Sequence, residues 1–363
     1  MTHNVVIIGA GVAGMSVALA LLQRGHSVRI LERRNTGGES SWAGGGILSP
    51  LLPWQYTEPV TALALRSMVA YPAWLAAIGH LAGGEAEFWR CGMLAVDVAM
   101  PQALVWCATH GMARTRNFSC PPLLSRNTPV DNTLYLPEVA QIRNPRLIAV
   151  LRAAILRLGG TIQEHNLALS VRLAGGRVTA IHSSQGEWET DKVVLAMGAW
   201  AGTALSELAP TPSIRPIRGQ MLLFKLAPGA LDTIVYRNGL YLIPRRDGHI
   251  LVGSTLEDVG FDKSTDMPTQ QRLHAEAAEL LPFLSSIQPI QHWSGLRPGS
   301  PDNIPIIDRH PDFDNVFVNT GHYRYGVTMA PASAELLVDL MEGNTPVLDP
   351  APYRWQAAML RHW

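Results

Sequence analysis

The sequence predicts an α/β protein with two parts: a Rossmann-like domain on a parallel sheet and a second domain on an antiparallel sheet. Three observations carry this. Residues 5–32 run strand, glycine turn, helix, strand, the order of a parallel βαβ unit. From Arg215 onward the strand candidates are short and linked by turn dipeptides, the pattern of hairpins. The length of 363 residues suits two domains or one large one.

Each part of the opening unit has a physical reason. Val5 to Ile8 is apolar and β-branched, which suits a strand buried on both faces. Gly9-Ala10-Gly11-Val12-Ala13-Gly14 fits G-x-G-x-x-G. Met15 to Gln23 is helix-forming, and Gly25 suits the helix stop. Ser27 to Leu31 is the second strand, with Glu32 at its end, 18 residues past Gly14. A dinucleotide needs these parts in this order. Gly9 permits the tight turn, Gly11 lets the backbone approach a pyrophosphate, and Gly14 lets the helix pack close to the strand. The helix N-terminus offers N–H groups to the pyrophosphate, and Glu32 stands where an acid accepts ribose hydroxyls. Residues 5 to 22 carry no charge, so a signal or membrane helix is the alternative. Only His3 precedes the run as a basic residue, and three glycines would weaken a helix there.

Composition removes other classes. Hydrophobic residues make up 47% and charged residues 16%, so the chain is expected to fold around a sizeable core. Formal net charge is zero and no Lys/Arg run exceeds the pair Arg33-Arg34, which disfavours nucleic acid. Cys91, Cys107 and Cys120 are odd in number and form no C-x-x-C pair. They read as reduced thiols of a cytoplasmic protein. No His or carboxylate cluster has ligand spacing, so no metal is expected. No second apolar 20-mer, signal peptide or lipidation motif is read, so no membrane span is expected. A homo-oligomer stays open.

Residues 33–50 are too rich in Gly and Ser for a regular element. Trp42, Ile47 and Leu48 would be wasted in a solvated linker, so the segment reads as a backbone-lined cradle for a flat ligand. Thr61 to Ala77 is amphipathic and helical, broken near Pro72. A strand is expected around Gly92 to Val98, a helix from Pro101 to His110, a loop over Ser119 to Pro129, and a short strand over Leu134 to Pro137. Asn144 is placed as N-cap, with Pro145 at N1, of a helix reaching Leu158. Thr161 to Glu164, Ala168 to Leu173 and Val178 to Ser183 read as strands. Asp191 to Gly198 reads as a buried strand ending in glycine, and a plain core strand is its alternative. Ile217 to Phe224 is a strand. Asn238-Gly239 splits two more within Asp232 to Leu242, and Gly248 to Ser254 is another. Pro268 to Leu280 is a helix. Val316 to Asn319 is a last buried strand, followed by the loop Thr320 to Gly326 and a helix from Val327 to Met341. The tail from Asp349 carries Trp355 and Trp363 and is expected to dock on the surface. By their residue types alone, Arg297 fits a salt bridge on a turn, Arg324 a surface charge, and Tyr241 a half-buried strand aromatic, as well as they fit a substrate site.

Four stretches together resemble the D-amino acid oxidase superfamily, and within it the glycine oxidases of thiamine biosynthesis. They are the opening fingerprint, Gly37 to Pro50 with Ser40-Ser41, Gly295-Leu296-Arg297-Pro298-Gly299, and Gly321-His322-Tyr323-Arg324-Tyr325-Gly326. The resemblance spans Val5 to about Gly343. It implies an FAD-binding domain of the D-amino acid oxidase type over residues 1–84, 144–213 and 296–363. It implies a substrate domain over 85–143 and 214–295. For cofactor binding it implies Gly9, Gly11, Val12, Ala13 and Gly14 at the pyrophosphate. Glu32 and Arg33 fall at the ribose, and Ser40, Ser41, Gly45, Gly46 and Ile47 along the flavin. Ala168 falls at the adenine and Gly198 beside the cofactor. His322, Tyr323, Arg324, Tyr325, Gly326, Val327 and Thr328 fall at the flavin's other end. Arg297, Tyr241 and Arg324 take substrate-binding positions, where a planar guanidinium suits a carboxylate.

The activity implied is oxidation of glycine, and of sarcosine or small D-amino acids, to the imine. Hydrolysis gives the 2-oxo acid and ammonia, and molecular oxygen gives hydrogen peroxide. The imine would supply the thiamine thiazole. Hydride transfer to flavin needs no catalytic side chain if the amine arrives neutral. No cysteine follows Cys120, so the FAD is expected to be non-covalent. The alternatives are a D-amino acid dehydrogenase or broader oxidase, a non-catalytic FAD-binding partner subunit, and an NAD-dependent dehydrogenase.

Overall fold

The computed structural model describes residues 2–116, 132–202, 205–208 and 211–363. The whole of the expected loop at Ser119 to Pro129, Cys120 included, lies outside them.

The opening unit is β1 (Asn4–Ile8), α1 (Val12–Gln23) and β2 (Ser27–Leu31). Then come α2 (Ser40–Ala43), α3 (Glu58–Ala82), β3 (Met93–Val96), α4 (Met100–Thr109), β4 (Leu134–Leu136) and α5 (Asn144–Arg157). The strands β5 (Thr161–Gln163), β6 (Ala168–Ala174), β7 (Arg177–Ser183), β8 (Gly186–Glu189) and β9 (Lys192–Leu195) follow. Next are β10 (Arg215–Lys225), β11 (Ile234–Arg237), β12 (Leu240–Pro244), β13 (His249–Gly253), α6 (Met267–Leu280) and β14 (Gln291–Gly299). The chain closes with β15 (Ile306–Arg309), β16 (Val316–Thr320), α7 (Gly326–Glu342) and α8 (Trp355–Met359).

Six strands form the first sheet in the order β15-β16-β9-β1-β2-β5. All neighbours are parallel except β15 and β16. Val5, Val6 and Ile7 of the central β1 have no solvent exposure, as a strand covered on both faces requires. Helices α1, α3, α5 and α7 pack together on one face, sharing a core with Met15, Leu63, Leu151 and Leu337. The Gly-rich turn leaves β1 at the carboxyl edge of this sheet, between β2 and β9, where such sheets bind ligands.

The second sheet has seven strands, β14-β10-β13-β12-β11-β3-β4. Asn238 and Gly239 make the β11–β12 turn, both with positive φ, as a tight hairpin needs. The sheet is antiparallel as expected except at one pair, where β3 and β11 run parallel. They lie far apart in the chain, so no hairpin dictates their direction. β14 runs unbroken across the 295/296 boundary and pairs with β10 throughout. A third, small sheet is the meander β6-β7-β8. β8 was not anticipated, having one apolar residue, Trp188, in four.

Several local expectations change. α3 is not broken at Pro72 but runs 25 residues through it. Pro72 lies on the exposed side, where water can serve the carbonyl its missing N–H leaves free. α3 is also long and apolar enough to cross a membrane, a stretch the sequence reading passed over. Here it packs on α5 and α7 through Val60, Leu63, Ala64 and Ile78. The 33–50 cradle contains one helical turn, α2. Asn144 does not cap α5, since its side chain donates across to Ser41 O at 2.8 Å. In the tail, Trp355 is buried beside His310, while the Trp363 indole donates to Ser213 Oγ at 3.0 Å.

Candidate functional site

One continuous cleft, enclosing about 440 Å³, runs from the carboxyl ends of β1 and β2 to the ends of β12 and β14. Every residue placed in the site by sequence lines it except Gly14. A Cβ at Gly14 would overlap Gly9 O, so this glycine lets α1 pack on β1. Gly9 turns at φ +108°, and a side chain there would meet Ala196 O at the end of β9.

At one end of the cleft lie Glu32, Arg33 and Ala168. Glu32 is buried, and each carboxylate oxygen accepts one backbone N–H: Ala10 at 2.8 Å and Arg34 at 2.9 Å. The Arg33 guanidinium pairs with Glu39 at 2.7 Å and lies 3.5 Å over the Trp200 ring. Its charge is therefore spent inside the protein, and Lys263 joins the same Glu39 at 3.0 Å.

The middle of the cleft is built from loop backbone. Ser41 Oγ accepts the Val12 N–H at 2.9 Å, tying the cradle to the first turn of α1. Gly46 has φ +73°, and a Cβ there would overlap Ile142 O. Thr328 Oγ1 donates to Ile47 O at 2.9 Å, which joins the start of α7 to the cradle. Gly198, Tyr323, Gly326 and Val327 complete the walls.

At the far end stand Arg297, Tyr241 and Arg324. Arg297 projects from β14 across Gly219 of β10, where a Cβ would overlap the guanidinium. Its Nη2 donates to Ser254 Oγ at 2.6 Å, and its Nη1 to Thr255 O at 3.1 Å. Burial and then the neighbouring Arg324 lower its pKa, with Tyr241 opposing. Arg324 has no hydrogen bond or ion pair among the described residues. Burial works against its charge, but Tyr325, Tyr56, Tyr241 and Tyr236 around it outweigh that and hold its pKa up. Arg297 has no carboxylate partner among the described residues, so a salt bridge does not account for it, and Arg324 is half-buried in the cleft wall rather than on an open surface. Tyr241 is a buried strand aromatic whose hydroxyl donates to Met221 Sδ at 3.2 Å.

Among the described residues, four buried polar atoms on the cleft wall have no partner: Asn144 Oδ1, Asn166 Nδ2, Asn319 Oδ1 and His322 Nε2. Buried polar atoms are nearly always satisfied, so these ask for a ligand's polar groups. Burial holds the His322 imidazole neutral, with its pKa pushed down to about 4. Asn144, Asn166, Ser254 and Asn319 were missed by sequence. Lone asparagines and serines carry no periodicity, and the only cue for Ser254 is its place just past a buried strand. Among the described residues no three metal-ligating side chains gather.

Residues 4–340 match the model of a family described as FAD dependent oxidoreductase. The chain is 44% identical to a glycine oxidase of Pseudomonas aeruginosa over 97% of this chain and 98% of that one. It is 32% identical to a bifunctional protein ThiO/ThiG of Synechocystis, over 94% of this chain and 52% of that one. The crystal structure of glycine oxidase from Geobacillus kaustophilus superposes with a TM-score of 0.91 at 26% identity, over 98% of this chain and 99% of that one.

Proposed function

Because the chain belongs to the FAD-dependent oxidoreductase family, with FAD as its cofactor, we propose that it oxidises glycine, and sarcosine or small D-amino acids, with molecular oxygen as acceptor. The cleft fits the cofactor. The first turn of α1 lines the cleft with Val12 and Ala13, putting the positive end of the helix at a pyrophosphate's place, and the Gly45-Gly46 backbone suits a flat ring system. The orphaned amides and the His322 nitrogen supply the polar contacts.

The observation that carries the substrate reading is the pair Arg297 and Arg324, two cations at one end of the cleft without an acid partner among the described residues. A substrate carboxylate supplies the missing charge. The Arg297 fork is pre-set by Ser254 and Thr255, so it can grip both carboxylate oxygens in one orientation. Tyr241 closes the same end. Bound FAD supplies the redox chemistry, taking two electrons from the substrate and passing them to oxygen. The chain's task is to hold the amino acid at a fixed angle and exclude alternatives. No acid or base is assigned, because an amine arriving neutral has its lone pair ready. The balance is glycine, oxygen and water to glyoxylate, ammonia and hydrogen peroxide.

The imine is short-lived in water, so a second activity must take it quickly if it is the useful product. A relative that joins ThiO to ThiG in one chain supports supply of glycine imine to the thiamine thiazole. Free, buried Cys91 and Cys107 suit a reducing cytoplasm.

The test is an anaerobic titration of the purified flavoprotein with a panel of amino acids, followed by admission of oxygen. Glycine should bleach the flavin and oxygen should restore it with stoichiometric peroxide. Bleaching without peroxide would indicate a dehydrogenase. No bleaching by any amino acid would indicate a binding subunit.

A further inference from the structure

We propose that Arg245 is a positioning residue that holds the Gly45–Gly46 stretch of the cleft in its cofactor-binding shape. The inference rests on FAD occupying this cleft.

Arg245 follows β12 in the turn to β13, which is closed by Gly248 N–H to Arg245 O at 2.9 Å. It belongs to the second sheet, yet its side chain reaches the cradle of the first. Nη2 donates to Gly45 O at 2.9 Å. Nη1 donates to Ile142 O at 3.0 Å and also to Gln141 Oε1. The Ile142 N–H in turn donates to Gly46 O at 2.9 Å. One guanidinium thus clamps two chain segments that already pair with each other. Gln141 passes the link on, its Nε2 donating to Cys91 Sγ at 3.1 Å.

The residue type is costly here. Arg245 is 5% exposed and has no carboxylate in ion-pair reach among the described residues. Burial and the nearby Arg143 lower its pKa to about 10, with Glu87 and Asp247 opposing, so it remains a cation at neutral pH. A buried cation with carboxylates only at a distance, and no direct ion pair, is normally selected against. Holding the cradle offsets that cost. Gly46 sits at φ +73°, a conformation with no side chain to lock it, so the loop needs an outside brace. The fork supplies it from behind, while Gly45 and Gly46 face the cleft. An ammonium cannot do the same, because it lacks two parallel donors set by a plane.

The test compares flavin-free wild type with Arg245→Lys, Arg245→Met and Tyr353→Phe. Tyr353→Phe removes a hydrogen bond to Pro59 O outside the cleft and serves as the control for lost stability alone. Each apoprotein is melted and then titrated with FAD by flavin fluorescence quenching. Both Arg245 variants should bind FAD at least tenfold more weakly, and Arg245→Lys should not restore binding although it keeps the charge. The control should lose melting temperature and keep the wild-type dissociation constant. Wild-type affinity in either folded Arg245 variant overturns the proposal, and Arg245→Lys decides alone if Arg245→Met does not fold. A wild-type chain that binds no FAD is a different result, which removes the cofactor reading and this proposal with it.

Discussion

The Ala10 N–H donates to the Glu32 carboxylate at 2.8 Å, so the acid at the end of β2 braces the glycine turn at the end of β1. The other oxygen takes the Arg34 N–H at 2.9 Å. Glu32 therefore shapes the turn as well as facing the cleft. Glu32→Ala should weaken FAD binding by roughly ten- to a hundredfold, from the loss of about 1.5–3 kcal/mol of charge-assisted hydrogen bonding. It should also lower the melting temperature of the apoprotein while leaving substrate preference unchanged. Calorimetric FAD titration and an apoprotein melt measure the two effects. Unchanged values in both would remove Glu32 from either role.

Arg297→Ala should keep its flavin and lose glycine. Removing a charged partner from a partly dry site costs on the order of 2–5 kcal/mol. Flavin reduction should also be slower at saturating glycine, because the substrate is no longer aimed. Arg297→Lys should recover only part of the loss. Anaerobic stopped-flow reduction by glycine, with FAD content checked, reads both parameters. A wild-type rate and half-saturation in Arg297→Ala would place the carboxylate elsewhere.

Ser254 is expected to act on glycine through Arg297, whose Nη2 donates to its hydroxyl at 2.6 Å. Ser254→Ala should raise the half-saturation for glycine by roughly tenfold, the worth of about 1–1.5 kcal/mol, and leave FAD content alone. The same stopped-flow series decides it. An effect as large as that of Arg297→Ala would mean that Ser254 meets the substrate directly.

Burial sets His322 at about 4, against about 6.5 for an ordinary histidine. Below about pH 6.5 the unfolded chain takes up a proton that the folded chain refuses until about pH 4. This site's contribution to stability is therefore full above pH 6.5 and falls as pH drops toward 4. The loss between pH 7.5 and 5 should be about 2 kcal/mol in the apoprotein. His322→Asn should show a flatter profile over that range in denaturant melts. Parallel profiles would mean that His322 titrates normally.

The flavin should be released by acid. Neither Cys91 nor Cys107 lines the cleft, and no cysteine follows Cys120 in the chain. Acid precipitation should leave the colour in the supernatant. Yellow precipitate would mean a covalent bond to another residue.

The βαβ unit was legible because its signals are local. A β-branched run, three spaced glycines and an acid lie within one short stretch, and each answers to a neighbour in sequence. The Asn238-Gly239 hairpin was legible for the same reason. The Arg297 and Arg324 readings were not separable by residue type, since a guanidinium looks the same on a surface, in a salt bridge or in a cleft. Asn144 reads as a cap from local propensity alone, which cannot see Ser41, whose carbonyl it reaches. Pro72 reads as a break in sequence because exposure to water, which rescues the helix there, is a tertiary property.

The sequence by itself determined the opening nucleotide unit, the two-part organisation and, through its motifs, the family. Those depend on hydrogen-bonding and packing between near neighbours, which residue order controls. Tertiary structure alone decided that Arg324, on the loop before α7, has no acid partner among the described residues, and that Arg297 is held by Ser254 from just past β13. It alone decided that Arg245 of the second sheet holds a loop of the first. Each of these is a meeting of segments brought together only when the two sheets close on one cleft, and charge, burial and orientation exist only in that closed arrangement.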